Sequence, residues 1–325
     1  MKPFLIIIRG YFLLCIVTGG NSGYAQPALP YENSIPADVQ LFWKKTREQL
    51  AAIPQEAAVV PVNEALPYKK FFITVKSLDN VTVAGYLSIP VRGEASARPW
   101  PVLVTTCGYS GNGQGVQLSE CQRGYAVLQV YPRGQGISGN YFTINSDKLS
   151  TALATPRGYY YQGAYMDIIR MIDYVVTRPD IDTTRIAMVG TSQAGGISLA
   201  VTALDPRIKT VVAHVPFLCH LRKAATLPSL AKTLLDRAGA NNEKAFRTLD
   251  YFDPYVLADA IQVPAFISAG GKDLLCPAST VKDVYDKIKS KKEYQFYPEL
   301  PHTSCMDSYA RTWVFLDRYL LNPKQ

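Results

Sequence analysis

The chain has 325 residues, 48 % hydrophobic and 18 % charged, a globular composition that excludes a disordered or fibrous protein. Its length suits one large α/β domain or two smaller ones with a sizeable core. The formal charge of +8 is spread along the chain, and the densest basic run, KIKSKK (287–292), is not interleaved with aromatic residues. That run reads as a solvated helix end, and nucleic-acid binding is not expected.

In chain order, Lys2 precedes an apolar stretch from Phe4 to Val17, and Gly23-Tyr24-Ala25 offers small residues where a signal peptidase reads. Residues 1–25 are therefore expected to be a cleaved secretory signal, and the protein to be secreted or periplasmic. A stable membrane anchor is not expected. The stretch falls short of the roughly 20 residues of a comfortable span and contains Arg9. Leu14 stands where lipid attachment at Cys15 needs a small residue. Residues 26–325 are expected to form a single catalytic domain with an N-terminal helical extension over 36–53, where Val39, Phe42, Trp43 and Leu50 recur at helical spacing. Residues 69–76 and 81–89 alternate around Asp79-Asn80 and predict a hairpin.

Short apolar runs follow at Val102–Thr106, Tyr125–Tyr131, Ile186–Val189, Thr210–Val215 and Ala265–Ser268. They suit strands buried on both faces of a parallel sheet. Helical stretches lie between them, the clearest being Gly163–Val176, and Tyr309–Leu321 is another. Together these predict an α/β fold with a mainly parallel central sheet, an antiparallel N-terminal hairpin and helices on both faces.

The segment RIAMVGTSQAGG (185–196) sets one hydroxyl, Ser192, between a strand and a patch of very small residues. An ordinary helix N-cap would look similar. A nucleophile elbow, G-x-S-x-G, is the sharper reading: strand and helix nearly touch there, so the positions of Gly190 and Ala194 must be tiny. A serine nucleophile needs a base, itself oriented by an acid, in the chain order Ser, acid, His. Asp273 follows the strand Ala265–Ser268, and His302 follows the strand Tyr294–Tyr297. Both lie in loops at the carboxyl end of the sheet. His214 and His220 precede Asp273 and break the order, and Asp205, Asp250 and Asp253 sit beside turn signals. The oxyanion donors are expected to be the backbone N–H groups of Gln193 and of Tyr109 in the loop CGYSGNGQG. That loop also suggests a dinucleotide fingerprint, but a hairpin precedes it and the next strand ends in YPRGQG without an acid for a ribose.

PADVQLFW, CGYSG, RGQG (133–136), YYYQGAYMDIIR (159–170), GTSQAGG (190–196) and KDLLCPAST (272–280) give the chain a family likeness. It resembles the acetyl xylan esterase and cephalosporin C deacetylase family, carbohydrate esterase family 7, from about Pro36 to Leu321. The resemblance implies an α/β-hydrolase fold and a serine carboxylesterase acting on acetyl esters of small substrates or oligosaccharides, without cofactor or metal. It also implies Ser192, Asp273 and His302 as the triad and Tyr109 and Gln193 as oxyanion donors. Homo-oligomerisation enters only through the resemblance, because members often form ring-like hexamers. Two positions depart from the family pattern: Thr303 stands where glutamate is usual, and Ala194 interrupts the usual GxSQGG. A peptidase of the prolyl-oligopeptidase type and a non-catalytic carbohydrate-binding protein are the competing readings.

Arg133, with Gly134 and Gln135 beside it, reads as buried scaffold near the site, and Asp167 is a candidate partner for Arg133. Tyr159 to Tyr161 read as packing residues. No zinc-type His and Cys spacing is present. Cys276 follows Asp273 by three residues and Cys305 follows His302 by three. An Asp273–His302 contact would draw these cysteines together, giving a disulfide or, as the commoner arrangement, two thiols packed as small hydrophobes. Cys107 with Cys121 is a weaker pair.

Overall fold

The computed structural model describes residues 34–63, 66–91, 98–111, 113, 117–144 and 147–322, so the expected signal lies outside the described residues. Among the described residues nine strands form one sheet: β1 (Ala58–Pro61), β2 (Tyr68–Lys76), β3 (Thr82–Pro90), β4 (Trp100–Thr106), β5 (Ala126–Tyr131), β6 (Ile181–Thr191), β7 (Ile208–His214), β8 (Ala265–Gly270) and β9 (Lys292–Tyr297). Their spatial order is β1-β2-β3-β5-β4-β6-β7-β8-β9. Contacts from β1 to β3, and from β3 to β5, are antiparallel; every pair from β5 through β4 to β9 is parallel. The β2–β3 turn carries Asp79 and Asn80 at φ 59° and 60°, the left-handed region that short polar side chains tolerate.

The apolar runs are continuous because both faces of the parallel strands are covered. Val102 and Val104, Ile186 and Met188, Val211 and Ala213, and Ala265 and Ile267 face one core. Leu103, Ala187, Val212 and Phe266 face the other. The larger core receives α1 (Ala37–Ala51), α3 (Tyr160–Val175) and α4 (Gln193–Leu204); α2 (Gln117–Gln122) lies between α1 and α3 in the chain. Trp43 of α1 is wholly buried, stacks on Tyr165 at 5.7 Å and donates its indole N–H to Tyr251 O (2.9 Å). The N-terminal helix is thus part of the main core. The opposite face is sealed by Phe315 and Leu316 of α10 (Met306–Leu316).

The α/β architecture is the expected one, with additions. β1 is a short, half-exposed edge strand whose pattern is too brief to read as alternation. Between β7 and β8 lie α5 (Leu221–Ala224), α6 (Leu230–Arg237), α7 (Glu243–Leu249) and α8 (Pro254–Leu257), and α9 (Ala278–Lys287) follows β8. The short helices are marked by caps more than by periodicity. Ser229, Asn242 and Asp253 accept from the N–H groups of Lys232, Ala245 and Tyr255, and Pro254 stands first in α8. None of the described helices is long and apolar enough to cross a membrane.

Candidate active site

β6 runs straight into α4 through Ser192, whose backbone sits at φ 59° and ψ −124°. This is a strained conformation for a residue with a Cβ, costing about 1–3 kcal/mol. It is held by main-chain bonds on both sides. Ser192 N–H donates to His214 O (2.9 Å), and Ser192 O accepts from Gly196 N–H (3.1 Å) and Phe217 N–H (2.9 Å). A Cβ at Gly190 would lie 2.3 Å from the Ala194 carbonyl carbon, so β6 and α4 approach at a distance only glycine permits. Ala194 is fully buried, and its methyl group is accommodated.

Ser192 Oγ lies 2.8 Å from His302 Nε2, and His302 Nδ1 lies 2.7 Å from Asp273 Oδ2. A carboxylate only accepts, so Nδ1 carries the proton and Nε2 is free to accept from the serine hydroxyl. The Asp273 side chain has no solvent exposure, whereas His302 is one-fifth exposed at the rim. Oδ1 of Asp273 accepts the N–H groups of Leu275 and Cys276, both at 2.8 Å, which fixes the carboxylate plane and leaves Oδ2 for the imidazole. Those two donors belong to the turn after β8.

The acid and base loops are joined through main chain. Lys272 N–H donates to Leu300 O (3.0 Å) and Gly271 N–H to Tyr297 O (2.8 Å). A Cβ at Gly270 or Gly271 would meet a carbonyl oxygen at 2.5 or 2.3 Å. The disulfide considered for this junction is not formed, and Cys276 and Cys305 are both free. Cys276 turns inward, its Sγ close to the Asp273 carboxylate and the His302 ring. Cys305 instead starts α10, exchanging main-chain bonds with Ser308 Oγ. Cys107 and Cys121 are also free and buried.

The backbone N–H groups of Tyr109 and Gln193 have no acceptor among the described residues. Tyr109 sits in the loop after β4, where its hydroxyl donates to Asp147 (2.5 Å) and accepts from Leu149 N–H (3.0 Å). Burial pushes this phenol well above its ordinary pKa, aided by the carboxylate. Gln193 is completely buried, and its amide bridges that loop to the helices. Its Nε2 faces Cys107 O (3.1 Å), Gly108 O (3.2 Å) and Gln135 Oε1 (3.0 Å), while Oε1 accepts the Tyr161 hydroxyl (2.9 Å). Gln135 Nε2 in turn reaches Gly108 O and Tyr109 O (both 3.1 Å), and its Oε1 accepts from Tyr160 (2.9 Å).

The tyrosines therefore pack, as expected, and also hold two glutamines that grip the Tyr109 loop. Asp147 and the side-chain roles of Gln135 and Gln193 have no local signal in the sequence; the RGQ and YYY tripeptides mark only the area.

Arg133 is buried and pairs with Asp167, Nε to Oδ2 at 3.0 Å and Nη2 to Oδ1 at 2.8 Å, with a further bond to Leu78 O (2.9 Å). The pairing keeps the guanidinium charged. Gly134 follows at φ 71°. His214 is buried between Ser268 Oγ (2.7 Å) and Thr312 Oγ1 (2.9 Å), and burial lowers its pKa to about 4. His220 stacks on Tyr255 at 3.9 Å and bonds Asp283 (2.7 Å). Asp205 ends α4 and binds Arg207, Asp250 pairs with Arg222, and Asp253 caps α8. Thr303 is exposed and its hydroxyl bonds Ser304 O (3.2 Å).

The profile of the acetyl xylan esterase (AXE1) family matches residues 30–318. Acetyl esterase Axe7A of Xylanibacter ruminicola is 25 % identical over 315 residues, spanning 89 % of this chain and 68 % of that protein. The solved acetyl xylan esterase from Paenibacillus sp. R4 shares 28 % identity at a TM-score of 0.80, over 89 % of this chain and 96 % of that one. Acetyl xylan esterase 1 from Thermoanaerobacterium sp. JW/SL YS485, at 22 % identity and a TM-score of 0.78 over 88 % of this chain and 94 % of that one, shares the fold. Because the family match runs through every strand and through the loops that carry Ser192, Asp273 and His302, this chain belongs to the acetyl xylan esterase family, carboxylic ester hydrolases of the α/β-hydrolase fold.

Proposed function

We propose that the protein is an exported serine esterase that removes acetyl groups from carbohydrate esters through a covalent acyl-enzyme. The hydrogen-bonded chain Ser192–His302–Asp273, at 2.8 and 2.7 Å, is the observation that carries this reading. Ser192 Oγ attacks the ester carbonyl as His302 Nε2 takes its proton, and Asp273 holds the imidazole in the required tautomer and stabilises the imidazolium. The unpartnered N–H groups of Tyr109 and Gln193 receive the oxyanion. His302 then protonates the departing sugar hydroxyl, and a water deprotonated by the same nitrogen attacks the acetyl-serine to release acetate. The carbohydrate acceptor is supported by the acetyl xylan esterases among the similar structures.

Ser192→Ala is expected to lower kcat on a small acetyl ester by about 10⁴-fold or more, and a fluorophosphonate is expected to label wild-type Ser192 and nothing in the variant. Retained turnover would sink the nucleophile assignment, and a failure to label wild type would point to a non-catalytic binding protein. Acetate release across acetylated xylan, acetylated oligosaccharides and longer acyl chains tests the substrate class. Peptide turnover above all of these would favour a peptidase. For export, the mature N-terminus is expected at Gln26, read by N-terminal sequencing of the secreted protein.

A further inference from the structure

We propose that Asp273, Cys276 and His302 form a site where a thiophilic divalent cation such as Zn²⁺ reversibly switches the esterase off. The loss of activity rests on the triad reading above; the binding itself does not. One carboxylate oxygen, the Cys276 sulfur and one imidazole nitrogen lie within 4.8 Å of one another. These are three zinc-binding ligand types, and tetrahedral bonds of about 2.0–2.3 Å place such ligands about 3.3–3.8 Å apart. To close around an ion, with solvent at the fourth position, the cluster must open the 2.7 Å Asp273–His302 hydrogen bond to this spacing and draw the Cys276 sulfur in.

Two of the ligands are already oriented. Asp273 and Cys276 belong to one turn, and the N–H groups of Leu275 and Cys276 hold Oδ1 so that Oδ2 points at the ring. Among the described residues no lysine or arginine pairs with Asp273; this buried carboxylate is met only by the two N–H groups and the His302 ring. A cation there meets a negative charge that nothing else neutralises.

The exchange balances simply. Cys276 loses its thiol proton to solvent and binds as thiolate. The metal takes the Nδ1 lone pair, and the neutral imidazole keeps its single proton on Nε2 by exchange through solvent. No oxidant or reductant is involved. An Nε2 that already carries a proton cannot accept one from Ser192, so the nucleophile is never activated. The metal itself sits on the Asp273 side of the ring, away from Ser192, so kcat falls while KM stays.

The test titrates Zn²⁺ against wild type, Cys276→Ala, Cys276→Ser and Cys305→Ala, with each rate expressed relative to that protein's own metal-free rate. Wild type and Cys305→Ala are expected to lose kcat at micromolar Zn²⁺, with KM unchanged and recovery on adding chelator. Cys276→Ala and Cys276→Ser are expected to need at least about tenfold more metal, since a ligand is gone. Co²⁺ gives a readout independent of activity: a thiolate-to-cobalt charge-transfer absorption is expected in wild type and in Ser192→Ala, and not in Cys276→Ala. A spectrum present without loss of kcat would overturn the switch and leave the site. Equal Zn²⁺ sensitivity of wild type and Cys276→Ala, no inhibition of wild type at millimolar metal, or a cobalt band that survives Cys276→Ala would overturn the proposal.

Discussion

Ser192 occupies a backbone conformation that only its neighbours can enforce, and Gly190 is the neighbour with no latitude. In Gly190→Ala the new methyl group would press on main-chain atoms of Ala194 at 2.3–2.4 Å, with no flexible side chain to give way. The expected outcome is a loss of about 3 kcal/mol or more, at the overpacking limit, together with loss of esterase activity. Urea unfolding and ester turnover check both. His214 supports a pH prediction. Its pKa falls from 6.5 to about 4 on folding, because burial disfavours the charged ring. Its stabilising contribution is therefore complete above pH 6.5 and is lost as pH falls from there through 4, about 3 kcal/mol in all. Asp253 runs the other way: burial raises it to about 7, so its contribution is complete in acid and is lost as pH rises from about 4 toward 7. The difference between wild type and His214→Gln isolates the histidine. Urea midpoints are expected to show the advantage of wild type over the variant shrinking between pH 6.5 and 4, and a constant difference would refute it.

At the scale of elements, the carboxyl ends of β4, β5, β6, β8 and β9 contribute one loop each, and the polar groups between the loops set their spacing. The Gln193 amide joins α4 to the loop after β4 and, through Tyr161, to α3. Gln193→Ala keeps the backbone N–H at 193 but removes the side-chain donor to the Cys107 carbonyl and leaves Gln135 as the remaining side-chain grip on Gly108 O and Tyr109 O. The Tyr109 N–H is then held less firmly. Removing one oxyanion donor outright costs about 10²–10³ in kcat, so loosening one is expected to cost about 10–100-fold. KM for a small ester should change less than kcat. A rate within twofold of wild type would show that the clamp has no part in positioning Tyr109.

For the molecule as a whole, two cores on opposite faces of one sheet supply the stability, and among the described residues no covalent cross-link adds to it. Cys107, Cys121, Cys219, Cys276 and Cys305 are all free thiols, four of them buried. Burial pushes the Cys107 and Cys121 thiols up to about 12, and Cys219 and Cys276 well above their ordinary value. Without a metal they stay protonated while the fold is closed. The melting temperature is accordingly expected to be the same with and without a reductant. Alkylation after denaturation, with no prior reduction, should modify all five; a drop in melting temperature on reduction would reveal a disulfide this arrangement excludes.

Much of this protein is legible in its sequence because local rules and fold rules agree. Runs such as Ile186–Val189 and Ala265–Ser268 are apolar throughout, which only strands covered on both faces require. Gly190 and Ala194 mark the elbow because close approach leaves no choice of side chain. Asp273 and His302 follow from chain order once the strands before them are placed. Where local signals are weak, the sequence is silent: β1 is a four-residue edge strand, and α5 to α8 are too short for a helical period to show. Tertiary structure alone decides the pairings between distant residues. It joins Gln193 to the carbonyls of Cys107 and Gly108, more than 80 positions away. It closes the acid loop on the base loop by glycine contacts with carbonyl oxygens where a disulfide was considered. And it turns Cys276 toward Asp273 and His302, a donor cluster that no spacing of His and Cys along the chain announces, because its members meet only when two loops of the sheet are brought edge to edge.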